Sequence, residues 1–120
     1  MCGILGIFGT DASKTYPFQG MLSTLEHRGP DDQGVIQRDN FVLGHQRLAI
    51  VDVKGGHQPL AATKEKLYGV CNGEIYNFPE LKEFLSSRGI FFETNSDTEV
   101  LLMCYKYFGM DLLDHINGMF

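Results

Sequence analysis

Apolar and polar positions along the chain follow both a two-residue and a helical period, which predicts strands and helices within one packing unit. Gly3 to Phe8 is apolar and rich in strand-forming residues, and the turn residues Gly9-Thr10-Asp11 follow it, so it predicts a buried strand. Pro17 precedes apolar residues at helical spacing between positions 18 and 25. A first helix is therefore expected there.

The middle of the chain has the pattern of a hairpin and further strands. The polar pair Asp39-Asn40 separates Gly34–Arg38 from Phe41–Gly44, which is typical of a two-residue hairpin turn. Two more apolar runs, Leu48–Val53 and Leu67–Cys71, predict additional strands.

The last third of the chain predicts two helices and the start of a strand. Asn77 with Glu80, and Ser96 with Glu99, have the spacing of a capping pair, and apolar residues at helical spacing follow each pair. Residues 117–120 have the pattern of a turn that enters a strand. We therefore expect the domain to be truncated at its C-terminal end.

Composition limits the classes of protein that the chain can represent. Hydrophobic residues make up 43% and charged residues 21% of the sequence, as in ordinary globular proteins. The formal charge of −5 without a basic run argues against nucleic acid as a partner. No apolar run approaches the ~20 residues of a membrane span, and no signal peptide pattern is present, so a cytoplasmic location is expected. Three irregularly spaced cysteines predict free thiols and no metal site.

Cys2 is the first candidate for chemistry. Removal of the initiator Met1 is favoured by a small following side chain and would leave a cysteine that carries both a thiol and a free α-amino group. Their ordinary pKa values, ~8.5 and ~7.7–8.0, allow the amine to accept the thiol proton near neutral pH. The alternative is that Cys2 is a small hydrophobic residue at the entrance of the first strand.

Asn72 and Gly73 are candidates for an oxyanion hole. They follow a predicted strand, so a side-chain amide and a backbone N–H could converge there, as catalysis of amide hydrolysis requires. Asn-Gly is also the commonest hairpin signal, although the helical pattern that follows weakens this alternative.

Arg47 and Asp97 carry the charges that would recognise a free amino acid. The guanidinium of Arg47 could bind a carboxylate with two hydrogen bonds, or it could be an ordinary solvated side chain. Asp97 could pair with an ammonium group, or it could simply complement the dipole of its helix. The histidines show no catalytic or metal-binding spacing, and Cys71 and Cys104 are expected to be buried thiols.

Six short motifs in this order resemble the class II glutamine amidotransferases, and among them the glutaminase domain of glutamine-hydrolysing asparagine synthetases. The motifs are Met1-Cys2-Gly3-Ile4, His27-Arg28-Gly29-Pro30-Asp31, Arg47-Leu48-Ala49-Ile50-Val51-Asp52, Gln58-Pro59-Leu60, Asn72-Gly73-Glu74-Ile75-Tyr76-Asn77 and Ser96-Asp97-Thr98-Glu99. The third and fifth motifs favour the asparagine branch over the glucosamine-phosphate and phosphoribosylamine branches.

The resemblance implies a fold and a set of roles. The fold is α+β, the four-layer αββα sandwich of N-terminal nucleophile hydrolases. Cys2 would attack the glutamine side chain, Asn72 and Gly73 would bind the oxyanion, and a glutamyl thioester would be hydrolysed. The glutamine pocket would consist of Arg47, Leu48, Ile50, Val51, Glu74 and Asp97.

The resemblance also implies what lies outside residues 1–120. They would form part of the glutaminase domain, and a synthetase domain that uses ATP and Mg²⁺ would be absent, so no cofactor is expected in this chain. Glutamine and the synthetase domain are the expected partners, and a homodimer is compatible with the family. A non-catalytic fragment and a module that binds glutamine without turnover are the alternatives.

Overall fold

The computed structural model describes residues 1–9, 16–62, 64 and 66–120 and shows a mixed α/β structure with antiparallel strand pairing throughout that part. The turn expected at Thr10-Asp11 lies outside the described residues. None of the helices in the described residues is long and apolar enough to cross a membrane.

The largest sheet contains three strands, β1 (Gly3–Phe8), β2 (Asp32–Arg38) and β3 (Phe41–Arg47), in the order β1-β3-β2. In the pairing of β2 with β3, Arg38 lies opposite Phe41, so Asp39-Asn40 forms the two-residue turn that the sequence predicted. The hairpin and the first strand are confirmed.

The expectation that β1 is a buried strand is only partly correct. Ile4 is 47% exposed and Phe8 is 74% exposed, whereas Leu5 and Ile7 pack against a hydrophobic cluster. The reason is that β1 lies at an edge of its sheet in the described structure and has helix packing on one face. An apolar run alone does not distinguish this situation from burial on both faces.

The predicted first helix is confirmed as α1 (Phe18–Ser23), and its residues Phe18 and Leu22 pack against Val42 of β3. A short 3₁₀ helix (Glu26–Arg28) continues the chain to Gly29. A Cβ at Gly29 would overlap the carbonyl oxygen of Gln46, so only glycine permits this approach to β3. The close approach brings Arg28 to the end of the sheet.

The strand predicted at Leu48–Val53 is wrong, because these residues form a loop that contributes no strand pairing. Three carbonyl groups of this loop accept hydrogen bonds from the side chain of Arg47. The β-branched residues suggested a strand, but the buried guanidinium imposes a curved path on the backbone.

Two small sheets follow. β4 (Leu60–Ala62) pairs with β5 (Leu67–Gly69), and β6 (Glu74–Ile75) pairs with β7 (Gly118–Met119). The strand predicted at Leu67–Cys71 is therefore confirmed, although it ends at Gly69, and so is the strand predicted near the end of the chain. Because β5 and β6 pair with different strands, the alternative that Asn72-Gly73 is a hairpin turn is wrong.

Helices α2 (Phe78–Ser87) and α3 (Asp97–Phe108), followed by a 3₁₀ helix (Gly109–Asp114), form the main apolar core together with β6. Its buried residues are Ile75, Leu81, Leu85, Val100, Met103, Cys104 and Leu112. Both predicted helices are confirmed, and this core fixes the position of the N-terminus of α3.

The predicted capping pairs are only partly correct. The Ser96 hydroxyl accepts a hydrogen bond from the backbone N–H of Thr98, as expected of an N-cap. The Glu99 carboxylate instead accepts hydrogen bonds from the backbone of residues 93 and 94. Asn77 makes no side-chain cap, because its amide bonds to the backbone of residues 115 and 117. The spacing of these residues therefore predicted where the helices begin, but contacts with other segments determine which groups the side chains of Asn77 and Glu99 bind.

Candidate active site

The sulfur of Cys2 lies at one end of the first sheet, immediately before β1. The backbone N–H of Leu48 donates to Sγ at 3.4 Å, and the thiol approaches the Leu48 carbonyl oxygen at 3.7 Å. The Arg28 guanidinium donates to the Cys2 carbonyl oxygen at 2.9 Å. Polar groups therefore hold Cys2 on both sides, and it lies outside the two hydrophobic clusters.

A small cavity of about 40 Å³ opens beside this sulfur. Its lining among the described residues consists of Cys2, Arg47, Leu48, Ile50, Val51, Gly56, Gln58, Ser96, Asp97 and Thr98. Six of the nine residues assigned to the site from sequence are therefore brought together, although they come from three separate segments of the chain.

Arg47 is the last residue of β3, and its side chain is buried with 4% exposure, so the alternative of a solvated arginine is wrong. Its guanidinium donates to the carbonyl oxygens of Val51, Asp52 and Val53 at distances of 2.8–3.1 Å. A Cβ at Gly56 would lie 2.6 Å from Nη2 and 3.0 Å from the Asp52 carbonyl oxygen, so a larger residue there would displace the guanidinium or the loop. The loop is thus built around the arginine.

Asp52 fixes the same loop through its carboxylate. It has a positive φ of 44°, and its two carboxylate oxygens accept hydrogen bonds from the backbone N–H groups of Gly55 and Asn95. At the start of the loop, the Asp31 carboxylate accepts a hydrogen bond from the Ala49 N–H at 2.9 Å. These contacts connect the loop to the first sheet and to the segment before α3.

Asp97 begins α3 and is 6% exposed. One of its carboxylate oxygens accepts a hydrogen bond from the backbone N–H of Ile75 at 2.9 Å. No cationic side chain of the described part of the chain lies within ion-pair distance of it. A buried carboxylate without a cationic partner, on the wall of the cavity, is arranged to receive a positively charged ligand group.

The cavity thus combines one thiol, one buried cation and one buried anion. A ligand that carries both a carboxylate and an ammonium group could satisfy Arg47 and Asp97 together. Such a ligand would place the remainder of its structure near the sulfur of Cys2. The arrangement suits recognition of a free amino acid followed by nucleophilic attack.

Asn72, Gly73 and Glu74 do not line this cavity. Asn72 lines a second, mostly apolar cavity of about 500 Å³. A Cβ at Gly73 would lie 2.5 Å from the carbonyl oxygen of Met119, and Glu74 is part of β6, opposite Met119. The three residues lie next to the strand pair β6-β7, and the chemical roles proposed for them stay predictions.

The remaining cysteines are buried thiols, as expected. Burial, with smaller contributions from the nearby charges of Asp97 and Cys2, raises the pKa of Cys71 to about 11. Burial alone raises the pKa of Cys104 to about 11. Both thiols are therefore protonated and poorly reactive near neutral pH. The Cys71 N–H donates to the side chain of Gln58, which lines the cavity, so Cys71 lies close to it.

Sequence reasoning gave no part in the site to Gln58, Ser96, Thr98 or Arg28, although all four contact the site or its walls. The available signal was that each lies inside one of the six motifs. Helix capping accounted for Ser96. Nothing in the local pattern suggested that Gln58 lines the cavity or that Arg28 donates to Cys2.

A protein-family model described as "Glutamine amidotransferase domain" matches residues 1–120. The match covers the whole chain, and its chemistry agrees with a cavity that combines a thiol with opposite charges. The chain therefore belongs to the glutamine amidotransferase domain family, as the six motifs predicted.

Several curated relatives carry the name asparagine synthetase [glutamine-hydrolyzing]. Over its whole length the chain is 43% identical to the glutamine-hydrolysing asparagine synthetase 3 of Bacillus subtilis (strain 168), and it covers 20% of that relative. It is 43% identical to asparagine synthetase B of Escherichia coli (strain K12), covering 22% of that protein, and 38% identical to form 1 of Arabidopsis thaliana, covering 21%. The chain thus spans about a fifth of the length of these relatives.

Proposed function

We propose that this domain hydrolyses glutamine to glutamate and ammonia, with Cys2 as nucleophile once Met1 has been removed. The observation that carries the proposal is that the Cys2 sulfur shares one cavity with the buried side chains of Arg47 and Asp97. Met1 is 65% exposed, which leaves it accessible for removal.

Substrate recognition follows from the two charges. Arg47 would bind the α-carboxylate with N–H groups that it does not use for the loop, and Asp97 would bind the α-ammonium group. Backbone groups of Leu48, Ile50 and Val51, with the side chain of Glu74, would complete the glutamine pocket. A ligand lacking either charge would leave a buried ion of the protein uncompensated, so a free amino acid is preferred over a peptide.

The reaction proceeds through a covalent intermediate. The α-amino group of Cys2 accepts the thiol proton, and the sulfur attacks the side-chain carbonyl carbon of glutamine. Asn72 and Gly73 stabilise the oxyanion that forms. The proton passes to the leaving nitrogen, ammonia departs, and a glutamyl thioester remains. Water then adds to the thioester carbon, glutamate is released and the thiol is restored.

The contacts of Cys71 support the oxyanion assignment. Its backbone N–H donates to the side chain of Gln58, which lines the Cys2 cavity, and Asn72 is the next residue along the chain. The Asn72-Gly73 step therefore begins one peptide bond away from a residue that is hydrogen-bonded to the cavity wall.

The wider context rests on the relatives. We assign this domain the ammonia-supplying half of asparagine synthesis, because the relatives matched over its whole length are named as glutamine-hydrolysing asparagine synthetases. The four-layer αββα sandwich, a synthetase domain that uses ATP and Mg²⁺, and a cytoplasmic location belong to the same proposal. Antiparallel sheets packed with helices are compatible with that fold.

The test is covalent labelling with a diazoketone analogue of glutamine, followed by intact mass and peptide mapping. We expect one adduct per chain, on Cys2, and only on molecules that have lost Met1. Glutamate release from glutamine is measured on the same sample.

The matched control is Cys2→Ser, which should keep the fold and lose both the adduct and glutamate release. Absence of an adduct on a folded, Met1-free wild-type protein would support the non-catalytic alternative. Stabilisation by glutamine without glutamate release would support the binding module instead. Undiminished glutamate release by Cys2→Ser would refute the proposed nucleophile.

A further inference from the structure

Gln58 connects two segments that belong to different parts of the proposed site. Its Oε1 accepts a hydrogen bond from the backbone N–H of Cys71 at 2.7 Å, and its Nε2 donates to the Thr98 hydroxyl at 3.1 Å. Cys71 precedes Asn72, and Thr98 follows Asp97. One side chain therefore joins the residue before the proposed oxyanion step to the residue after the proposed ammonium-binding carboxylate.

The orientation of the Gln58 amide is fixed by its partners. A backbone N–H can only donate, so the group that faces Cys71 must be the amide oxygen. The amide nitrogen then faces Thr98, whose hydroxyl can accept. Both partners are buried, with 8% exposure for Cys71 and 5% for Thr98, so water cannot easily replace either contact.

The backbone of Gln58 is also held in place. A Cβ at Gly34 would overlap the carbonyl group of Gln58, so the chain at Gln58 packs directly on strand β2 at a glycine. The side chain thus extends from a fixed point on the first sheet toward the cavity.

The side chain of His45 holds the backbone carbonyl group of Cys71, the residue whose N–H donates to Gln58. It is fully buried on β3, and its Nε2 lies 3.2 Å from the carbonyl oxygen of Cys71. Because a carbonyl can only accept, Nε2 carries the proton in this contact. Both peptide groups of Cys71 are therefore hydrogen-bonded by side chains from elsewhere in the chain, immediately before Asn72.

We propose that Gln58 is a positioning residue that sets the distance between the Asn72-Gly73 step and Asp97. The inference rests on the proposed function and adds a residue that acts through others. Without the bridge, glutamine would still meet Arg47 and Asp97. The Asn72-Gly73 step would then be held only by the His45–Cys71 and Asp97–Ile75 hydrogen bonds on either side of it, so the oxyanion donors would be held less precisely at the reacting carbonyl. The loss should therefore appear mainly in kcat.

The test compares glutaminase kinetics of the purified protein with those of Gln58→Met and Thr98→Val. Gln58→Met has nearly the same shape and loses both contacts, and we expect kcat to fall about 10- to 100-fold with KM changing much less. Thr98→Val removes one end of the bridge and should give an intermediate kcat.

Gln37→Met is the matched control, because Gln37 is exposed on β2 and should leave kcat and KM unchanged. If Gln58→Met fails to fold, Thr98→Val decides the question. Wild-type kcat in folded Gln58→Met or in Thr98→Val would overturn the inference. An inactive wild-type protein would instead refute the proposed function.

Discussion

The two charged side chains of the cavity are supported by different kinds of structure. Arg47 is held by the carbonyl groups of the loop at positions 51–53, which contributes no residue to either hydrophobic cluster. Asp97 begins helix α3, whose residues Val100, Met103 and Cys104 belong to the main apolar core. One charge thus depends on directional hydrogen bonds and the other on apolar packing.

This difference determines how each side of the site should respond to mutation. Apolar burial is roughly proportional to area, so the loss of one core side chain costs free energy but leaves the other contacts usable. A network centred on one guanidinium loses all its bonds when that group is removed. Removal of the Arg47 guanidinium should therefore disorder mainly the loop around it. Truncation of a core side chain next to α3 should instead lower the free energy of unfolding of the whole domain.

The largest expected effect is the loss of stability in Leu85→Ala. Leu85 is fully buried where α2 packs on α3, so its truncation removes apolar contacts and leaves a cavity. We expect the free energy of unfolding in urea to fall by about 3–4 kcal/mol. Native-state amide exchange should accelerate in α2 and α3. A change below ~1 kcal/mol would contradict the view that this core supports Asp97.

The second effect is local, in Arg47→Met. Three loop carbonyls would lose their donor, so we expect a stability loss of about 2–3 kcal/mol, with amide exchange accelerating mainly in residues 48–56. Stabilisation of the protein by added glutamine should disappear. Differential scanning fluorimetry with and without glutamine measures the loss of stability and the loss of the glutamine effect, and hydrogen–deuterium exchange measures the change in amide exchange.

The matched control for that experiment is Arg38→Met. Arg38 is exposed and contacts Tyr68, so its loss should cost less than ~1 kcal/mol and leave the glutamine effect unchanged. Equal losses in the two variants would show that the buried guanidinium has no special structural role.

The smallest expected effect is a change in the pKa of one of the two buried thiols, Cys71 and Cys104. The pKa values of Cys71 and Cys104 are raised to about 11 in the folded state, mainly by burial. Between pH ~9 and ~11 the unfolded chain would lose these protons while the native chain keeps them, so stability should decrease as pH rises. In Asp97→Asn the pKa of Cys71 should fall slightly, because its negative neighbour is gone.

Thiolate absorbance in the Cys2→Ser background measures both titrations. The pKa of Cys104 serves as the internal control, because Asp97 does not contribute to it. Equal shifts of both thiols in Asp97→Asn, or a stability that rises from pH 9 to 11, would contradict this interpretation.

Much of the local structure could be predicted from sequence. The Asp39-Asn40 turn, the helix after Pro17 and the starts of α2 and α3 depend on neighbouring residues, so their signals lie within a few positions. The six motifs also predicted the family, because several separated motifs in a fixed order rarely coincide by chance.

Contacts between distant segments could not be predicted in this way. Leu48–Val53 has the composition of a strand, but the Arg47 guanidinium recruits its carbonyls and turns it into a loop. Glu99 has the spacing of a capping residue, but the preceding turn takes its carboxylate. Only tertiary structure decides how a buried polar group is satisfied, because its partner can be any residue that folding brings within hydrogen-bonding distance.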